Sequence, residues 1–333
     1  MLDELIKGGT VIDGTGAPGR QADVGIRDGR IVAIGDIDEE AKVVTDAAGK
    51  LVIPGIIDPH THYDAQLLWD PGASPSANHG VTTVIGGNCG FTLAPLRPTP
   101  EEADYLQQMM SRVEGMPLPA LQEIDWDWET FSDYLSKFEG NISVNAGFLV
   151  GHCAIRRYVM GPDSVGNEAT PEQVEAMVAE LRKGIEAGGL GFSTTLSGSH
   201  SDGDGQPVPS RWSTKDELLA LCAEVRDHEG TTLEAIVPGC LDRFADDEIE
   251  LLAEMSATAK RPLNWNVLTV DSREPDRAPR QLSAGDRAAE LGGRVVALTM
   301  PVLVPMNMNF LTFCGIWLLP GWQETLRVPV EER

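Results

Sequence analysis

Ile56-Ile57-Asp58-Pro59-His60-Thr61-His62, entered through Pro54-Gly55, sets two histidines one residue apart at the end of a short apolar run. Alternate side chains of an extended chain share a face, so the spacing predicts that His60 and His62 point the same way. Two imidazoles converging at the end of a buried strand make half of a metal site. A second run, Thr82-Thr83-Val84-Ile85, leads into Gly86-Gly87-Asn88-Cys89-Gly90. Its glycines permit close backbone approach, and a cysteine thiolate at that strand end is a candidate third ligand.

Working outward, short apolar runs near residues 51–58, 81–87, 142–150, 190–195, 231–237, 262–268 and 294–300 alternate with helical segments. That alternation is the pattern of repeated βα units. Thr170-Pro171-Glu172-Gln173 offers an N-cap, a first-turn proline and a capping-box Gln. Val174, Met177, Val178, Leu181 and Ile185 then share one helical face, and Gly188-Gly189 stops the helix. Segments 213–225 and 246–259 read the same way. Seven parallel strands are legible, where a closed (β/α)8 barrel has eight. Residues 306–333, with Phe310, Phe313, Trp317 and Trp322, read as an apolar loop-and-helix excursion, so an incomplete barrel is expected. Its open strand edges imply a marginally stable chain.

The first fifty residues differ. Runs at 5–9, 10–14, 23–29 and 30–34 read as short strands, with Asp28-Gly29 as a hairpin turn. The expected division is a small β domain at 1–50 and an incomplete barrel at 51–333. A net charge of −25 argues against nucleic acid and anionic membrane as partners, since both need basic patches. The start lacks a secretory pattern and no long apolar run follows, so the cytoplasm is the expected location. Five cysteines without CxxC spacing argue against a disulfide framework.

Three stretches together resemble the amidohydrolase superfamily: Lys7-Gly8-Gly9-Thr10-Val11-Ile12-Asp13-Gly14-Thr15-Gly16, then Gly29-Arg30-Ile31, then Pro54-Gly55 with the His-x-His segment. Gly87-Asn88-Cys89-Gly90 is more specific and resembles the N-acyl-D-amino-acid deacylase branch. Leu149-Val150-Gly151-His152, Ile155-Arg156 and Val159-Met160-Gly161 resemble it too. The likeness runs from residue 5 to about residue 210 and more weakly beyond. It implies a TIM-like (β/α)8 barrel flanked by a β-sandwich built from both chain ends. It also implies a divalent metal, zinc above all, and hydrolysis of a carbon–nitrogen bond in a small N-acyl amino acid or related amide. His60, His62 and Cys89 match the family's ligands. The cysteine takes the place of a carbamylated strand-four lysine, and Gly191-Phe192-Ser193-Thr194-Thr195 indeed holds no lysine.

Three departures stand out. The fifth strand, Thr232-Leu233-Glu234-Ala235-Ile236-Val237, and the sixth, Leu263-Asn264-Trp265-Asn266-Val267, lack the family's histidines. The strand-eight Asp that serves the family as catalytic base falls beyond what the sequence displays. Glu234 is the candidate oxygen ligand in the gap, and Asn266 a weak ligand or a substrate contact. His152, Arg156 and His200 are candidate substrate-binding residues, His200 being equally readable as a surface-loop residue. His79 and His228 read as helix-end residues, Asp64 and Asp70 as turn and cap residues. The expected activity is metal-dependent amide hydrolysis. The alternatives are a cyclic amidase of the dihydroorotase or hydantoinase kind and a truncated, non-catalytic relative. Acyl group, stereochemistry, metal number and oligomeric state are not legible.

Overall fold

The structure, a computed structural model, describes residues 1–300 and 321–322; the rest of the predicted apolar excursion lies outside the described residues. The chain divides into two compact units, Met1–Ile56 with Gly80–Thr82, and Ile57–His79 with Thr83–Arg333.

The first unit is built on one mixed sheet. Strands β1 (Leu2–Val11), β2 (Arg20–Arg27), β3 (Arg30–Gly35) and β4 (Ala41–Asp46) lie in the order β3-β2-β1-β4, and β5 (Leu51–Val52) also pairs with β1. Asp28 and Gly29 both take positive φ, 52° and 69°, as the expected tight hairpin between β2 and β3 requires. The runs at 5–9 and 10–14 are one strand, not two. Its pairing with β2 shifts register between Ile6 and Gly9, with Gly8 at φ 74°, so the glycine pair makes a bulge where the sequence suggested a break. Strand β4 carries Val43-Val44 without polar alternation and is defined by its parallel pairing with β1. One face buries Val11, Ala22 and Val24 against Ile6, Ile26 and Val52. Ile31, Val32, Val43 and Val44 remain exposed.

Seven barrel strands follow, lying in the second unit except for the first residues of β6 and β7: β6 (Ile56–Asp58), which is only the end of the expected 51–58 run, β7 (Val81–Gly86), β8 (Asn145–Phe148) continued by β9 (Val150–Gly151), β10 (Gly191–Thr195), β11 (Thr232–Ile236), β12 (Pro262–Leu268) and β13 (Arg294–Thr299). They pair in the order β6-β7-β8 and β9-β10-β11-β12-β13. The third barrel strand is interrupted at Leu149, whose amide still donates to Gly86 O at 3.0 Å. Among the described residues no eighth strand follows.

Helix α1 (Ser74–Ala77) precedes β7. An excursion with α2 (Pro100–Val113), α3 (Leu118–Gln122) and α4 (Phe131–Ser136) separates β7 from β8. Then α5 (His152–Met160) and α6 (Pro171–Glu186), α7 (Lys215–Val225), α8 (Asp246–Ala259) and α9 (Arg277–Glu290) alternate with the later strands. The predicted capping box at α6 is present, Thr170 and Gln173 each accepting from the other's amide. Helix α7 buries Leu218, Leu221, Cys222 and Val225, and α8 buries Leu252, Ala253, Met255 and Ala259. Each such leucine contributes roughly 1.5–3 kcal/mol by leaving water. The excursion is anchored by Trp128, Tyr134 and Phe138, the last two packing on Phe148 of β8, and the Tyr134 hydroxyl donates to Asp64 O at 3.0 Å.

Candidate metal centre

Strand β6 ends at Asp58, so the two histidines do not lie in a strand as the spacing predicted. They converge for another reason. Thr61 between them is pinned to β7, its amide and its hydroxyl both donating to Ile85 O, at 2.9 and 2.8 Å. His60 and His62 flank that pin, with ring centroids 5.2 Å apart.

Cys89 is delivered by a turn with little freedom. The Gly87 amide donates to Asp64 Oδ2 at 3.1 Å, and Asn88 Nδ2 donates to Thr61 O and Ile85 O at 3.2 and 2.9 Å. The Ser193 hydroxyl donates to Gly87 O and accepts from the Gly90 amide. Cys89 itself takes φ 54°, a left-handed conformation unusual for a residue with a Cβ. Strain of this kind persists where surrounding structure enforces it, and it gathers at functional sites.

The outcome is that one ligand atom each from His60, His62 and Cys89 lies within 4.8 Å of the others. Cys89 Sγ is 3.7 Å from His60 Nε2. Glu234, fully buried on β11, accepts from the Cys89 amide at 2.6 Å through Oε2; its Oε1 stands 3.8 Å from Cys89 Sγ and 4.0 Å from His60 Nδ1. Asn266, on β12, directs Nδ2 at the same sulfur from 3.7 Å. Glu234 and Asn266, on the two strands that lack the family's histidines, therefore both face the cysteine.

Burial governs the protonation of this cluster. It lowers His60 to about 3, helped by the neighbouring His62, and His62 to about 4, so both rings are neutral and able to ligate. It raises Glu234 to about 8 and, with the nearby Glu234 carboxylate, pushes the Cys89 thiol upward. Neutral imidazoles beside a buried acid and a thiol fit a divalent ion, whose charge would hold the carboxylate and thiolate ionised.

His200 follows β10 and accompanies the triad. Its Nδ1 is 2.8 Å from Thr195 Oγ1, and its ring lies 5.0 Å from that of Phe91, which packs in turn on His62. His152 and Arg156 sit elsewhere. Both are fully buried on α5 behind β10, around Glu217 of α7. His152 Nε2 donates to Glu217 Oε1 at 2.8 Å, which leaves Nδ1 to accept from the Thr194 hydroxyl at 2.9 Å. Arg156 Nη1 donates to both Glu217 oxygens, at 2.6 and 2.5 Å. His79 and His228 lie just past α1 and α7, and Asp70 caps the α1 turn through Ser74.

Two acids beside the triad carry more than the sequence reading gave them. Asp64 is fully buried and holds the Gly87 amide, with burial raising its carboxyl to about 7. Glu114, at the C-terminus of α2, stands with Oε2 3.5 Å from His62 Nε2. A signal for Glu114 existed, because an acid at a helix C-terminus opposes the helix dipole. The sequence shown offers no candidate for the strand-eight Asp, its last aspartate being Asp286 on α9.

A barrel whose first two strands deliver His-x-His and Cys to one point defines a class of metal-site α/β proteins. The chain belongs to the amidohydrolase family, whose model matches residues 43–328, and within it to the D-aminoacylase branch. D-aminoacylase of Alcaligenes xylosoxydans xylosoxydans is 38% identical over 232 residues, covering 69% of this chain and 43% of that protein. The crystal structure of D-aminoacylase superposes with a TM-score of 0.70 at 30% identity, covering 91% of this chain and 59% of that one. N-acyl-D-glutamate deacylase of Bordetella bronchiseptica, solved with zinc and a phosphonate inhibitor, gives 0.69 at 29%, covering 89% and 58%. The chain thus spans less than half of the curated relative's length.

Proposed function

We propose that the protein is a metal-dependent hydrolase of non-peptide carbon–nitrogen bonds, acting on a small N-acyl amino acid in the manner of the N-acyl-D-amino-acid deacylases. The convergence of His60, His62 and Cys89 within 4.8 Å carries this reading. Zinc is the proposed ion, supported by the His, His, Cys donor set and by the zinc in the Bordetella bronchiseptica relative. Bound there, zinc would polarise the scissile carbonyl and lower the pKa of a water to about 7.

The chain's own residues do the rest. Glu234 fixes the Cys89 amide and offers Oε1 to the site, filling the role the family gives to a strand-five histidine. Asn266 steadies the sulfur through Nδ2. His200 and Phe91 form the wall beside His62, and His200 is the proposed substrate contact. His152 and Arg156 position β10 through Thr194 and Glu217, with no surface to offer a ligand. An 89-residue likeness to allantoinase of Salmonella choleraesuis, 42% identical over 25% of this chain, keeps ring opening of a cyclic amide as the comparison reaction.

The test is a zinc-loaded preparation of the complete gene product assayed for acyl release from N-acetyl-D- and N-acetyl-L-amino acids and for opening of cyclic imides. Acyl release from the D series, lost on Cys89→Ala, is expected. Full zinc occupancy with no release from any N-acyl amino acid would overturn the proposal.

A further inference from the structure

Glu114 is odd as a structural residue. It caps the C-terminus of α2, where the helix dipole disfavours an acid, and its carboxylate points inward at His62. The group it meets there is a ring nitrogen of a residue already placed at the metal centre. The Nδ1 atoms of His60 and His62 are buried without a hydrogen-bond partner among the described residues. So is Oδ1 of Asn266, whose side chain is 4% exposed and aimed at Cys89.

Taken pair by pair, the spacings fit neighbouring donors on a cation. Metal–nitrogen and metal–oxygen bonds of about 2.0–2.2 Å and metal–sulfur bonds of about 2.3 Å place neighbouring donors roughly 3–3.8 Å apart. Three contacts fall in or at the edge of that range. They are His62 Nε2 to Glu114 Oε2 at 3.5 Å, His60 Nε2 to Cys89 Sγ at 3.7 Å, and Cys89 Sγ to Glu234 Oε1 at 3.8 Å. The first exceeds an ordinary charge-assisted hydrogen bond, so it describes two donors side by side better than a donor–acceptor pair.

We infer that Glu114 is an oxygen ligand of the metal centre, closing it on the His62 side as Glu234 closes it on the Cys89 side. This rests on the metal reading above and extends it. The site takes two carboxylates from the chain, one from a strand and one from the excursion between β7 and β8. That excursion would thereby be tied to the ion, so that metal loading and the seating of α2 become one event.

The experiment uses the complete gene product, stripped with a chelator and titrated with zinc against a chromophoric competitor, and in parallel with cobalt(II) followed by visible absorption. Wild type, Glu114→Gln, Glu114→Asp and Cys89→Ala are compared. Glu114→Gln should weaken zinc binding by about 10–100-fold, the loss typical when a supporting group of a metal site is removed. Glu114→Asp should fall between. Both should keep the cobalt–thiolate charge-transfer band that Cys89→Ala loses. If Glu114→Gln binds zinc as tightly as wild type while Cys89→Ala does not, Glu114 is no ligand and the metal reading stands. If wild type itself fails to bind zinc or cobalt, both fall together. Should Glu114→Gln not fold, an unchanged affinity in Glu114→Asp would likewise overturn the assignment, and a drop in a folded Glu114→Asp would sustain it.

Discussion

Replacing Gly87 by alanine should damage stability and metal binding together. Gly87 has φ 72°, where an alanine costs roughly 1–2 kcal/mol. An added Cβ would also lie 2.1 Å from Leu149 O, a backbone atom. That carbonyl cannot swing away freely, because it accepts from Thr92 Oγ1 at 2.9 Å and the Leu149 amide is held by Gly86 O. Relieving such overpacking typically costs about 1–3 kcal/mol, so Gly87→Ala should lose about 2–5 kcal/mol in all. The strain has one cheap exit, displacement of the 87–90 turn, and that moves Cys89 off His60. Gly230→Ala is the internal control: φ is 80° but nothing lies within 4 Å of the added Cβ, so only the torsional part, about 1–2 kcal/mol, should be lost. Denaturant midpoints with chelator present give the stabilities, and competitive zinc titration gives the affinities. If Gly87→Ala costs no more than Gly230→Ala and binds zinc like wild type, the account of how Cys89 is held is wrong.

Other predictions follow from the same geometry. Glu217→Ala should cost about 3–5 kcal/mol by stranding Arg156 in the interior, yet leave zinc stoichiometry intact; a loss below about 1 kcal/mol would contradict the buried cluster. Metal-free stability should fall as pH rises above about 6.5. Burial raises Asp64 to about 7 and Glu114 and Glu234 to about 8, so the folded state holds protons that the unfolded chain releases. It should fall again below about pH 4.5, because buried His60, His62 and His200, lowered to about 3–4, stay neutral where unfolded histidines are charged. Between these limits the two sets offset, and a steady rise in chelator-treated stability from pH 5 to 8 would sink this. Zinc binding near pH 7 should release protons, since a thiol and raised carboxyls must ionise to ligate; calorimetry in buffers of different ionisation enthalpy would show heats independent of buffer if that is wrong.

The architecture was legible because seven apolar runs and their helices repeat one period, and because α6 carries its start signal in Thr170 and Gln173. The metal triad was legible because its residues cluster in two short motifs. What escaped depended on tertiary placement. Glu217 stands three residues after Thr214, an arrangement that reads as a helix-capping box, yet its side chain turns inward to Arg156. Asp64 follows the histidines as an ordinary turn residue would, and only the fold shows it holding Gly87. Glu114 lies 52 positions from His62 along the chain, beyond the reach of local patterning. Strand β4 was missed because its evidence lies in its partner, not in its own residues.

The apolar side chains left exposed on the outer strands of the small sheet have a bearing on handling. Ile31, Val32, Val43 and Val44 are between 49% and 62% exposed on a molecule of charge −25. Mutual repulsion at low ionic strength keeps such strands of neighbouring molecules apart, but the Debye length shrinks from about 30 Å at 0.01 M to about 10 Å at 0.1 M salt. Preparations should therefore be clear in dilute buffer and cloud as salt is added, reversing the usual expectation that salt protects an acidic protein in storage.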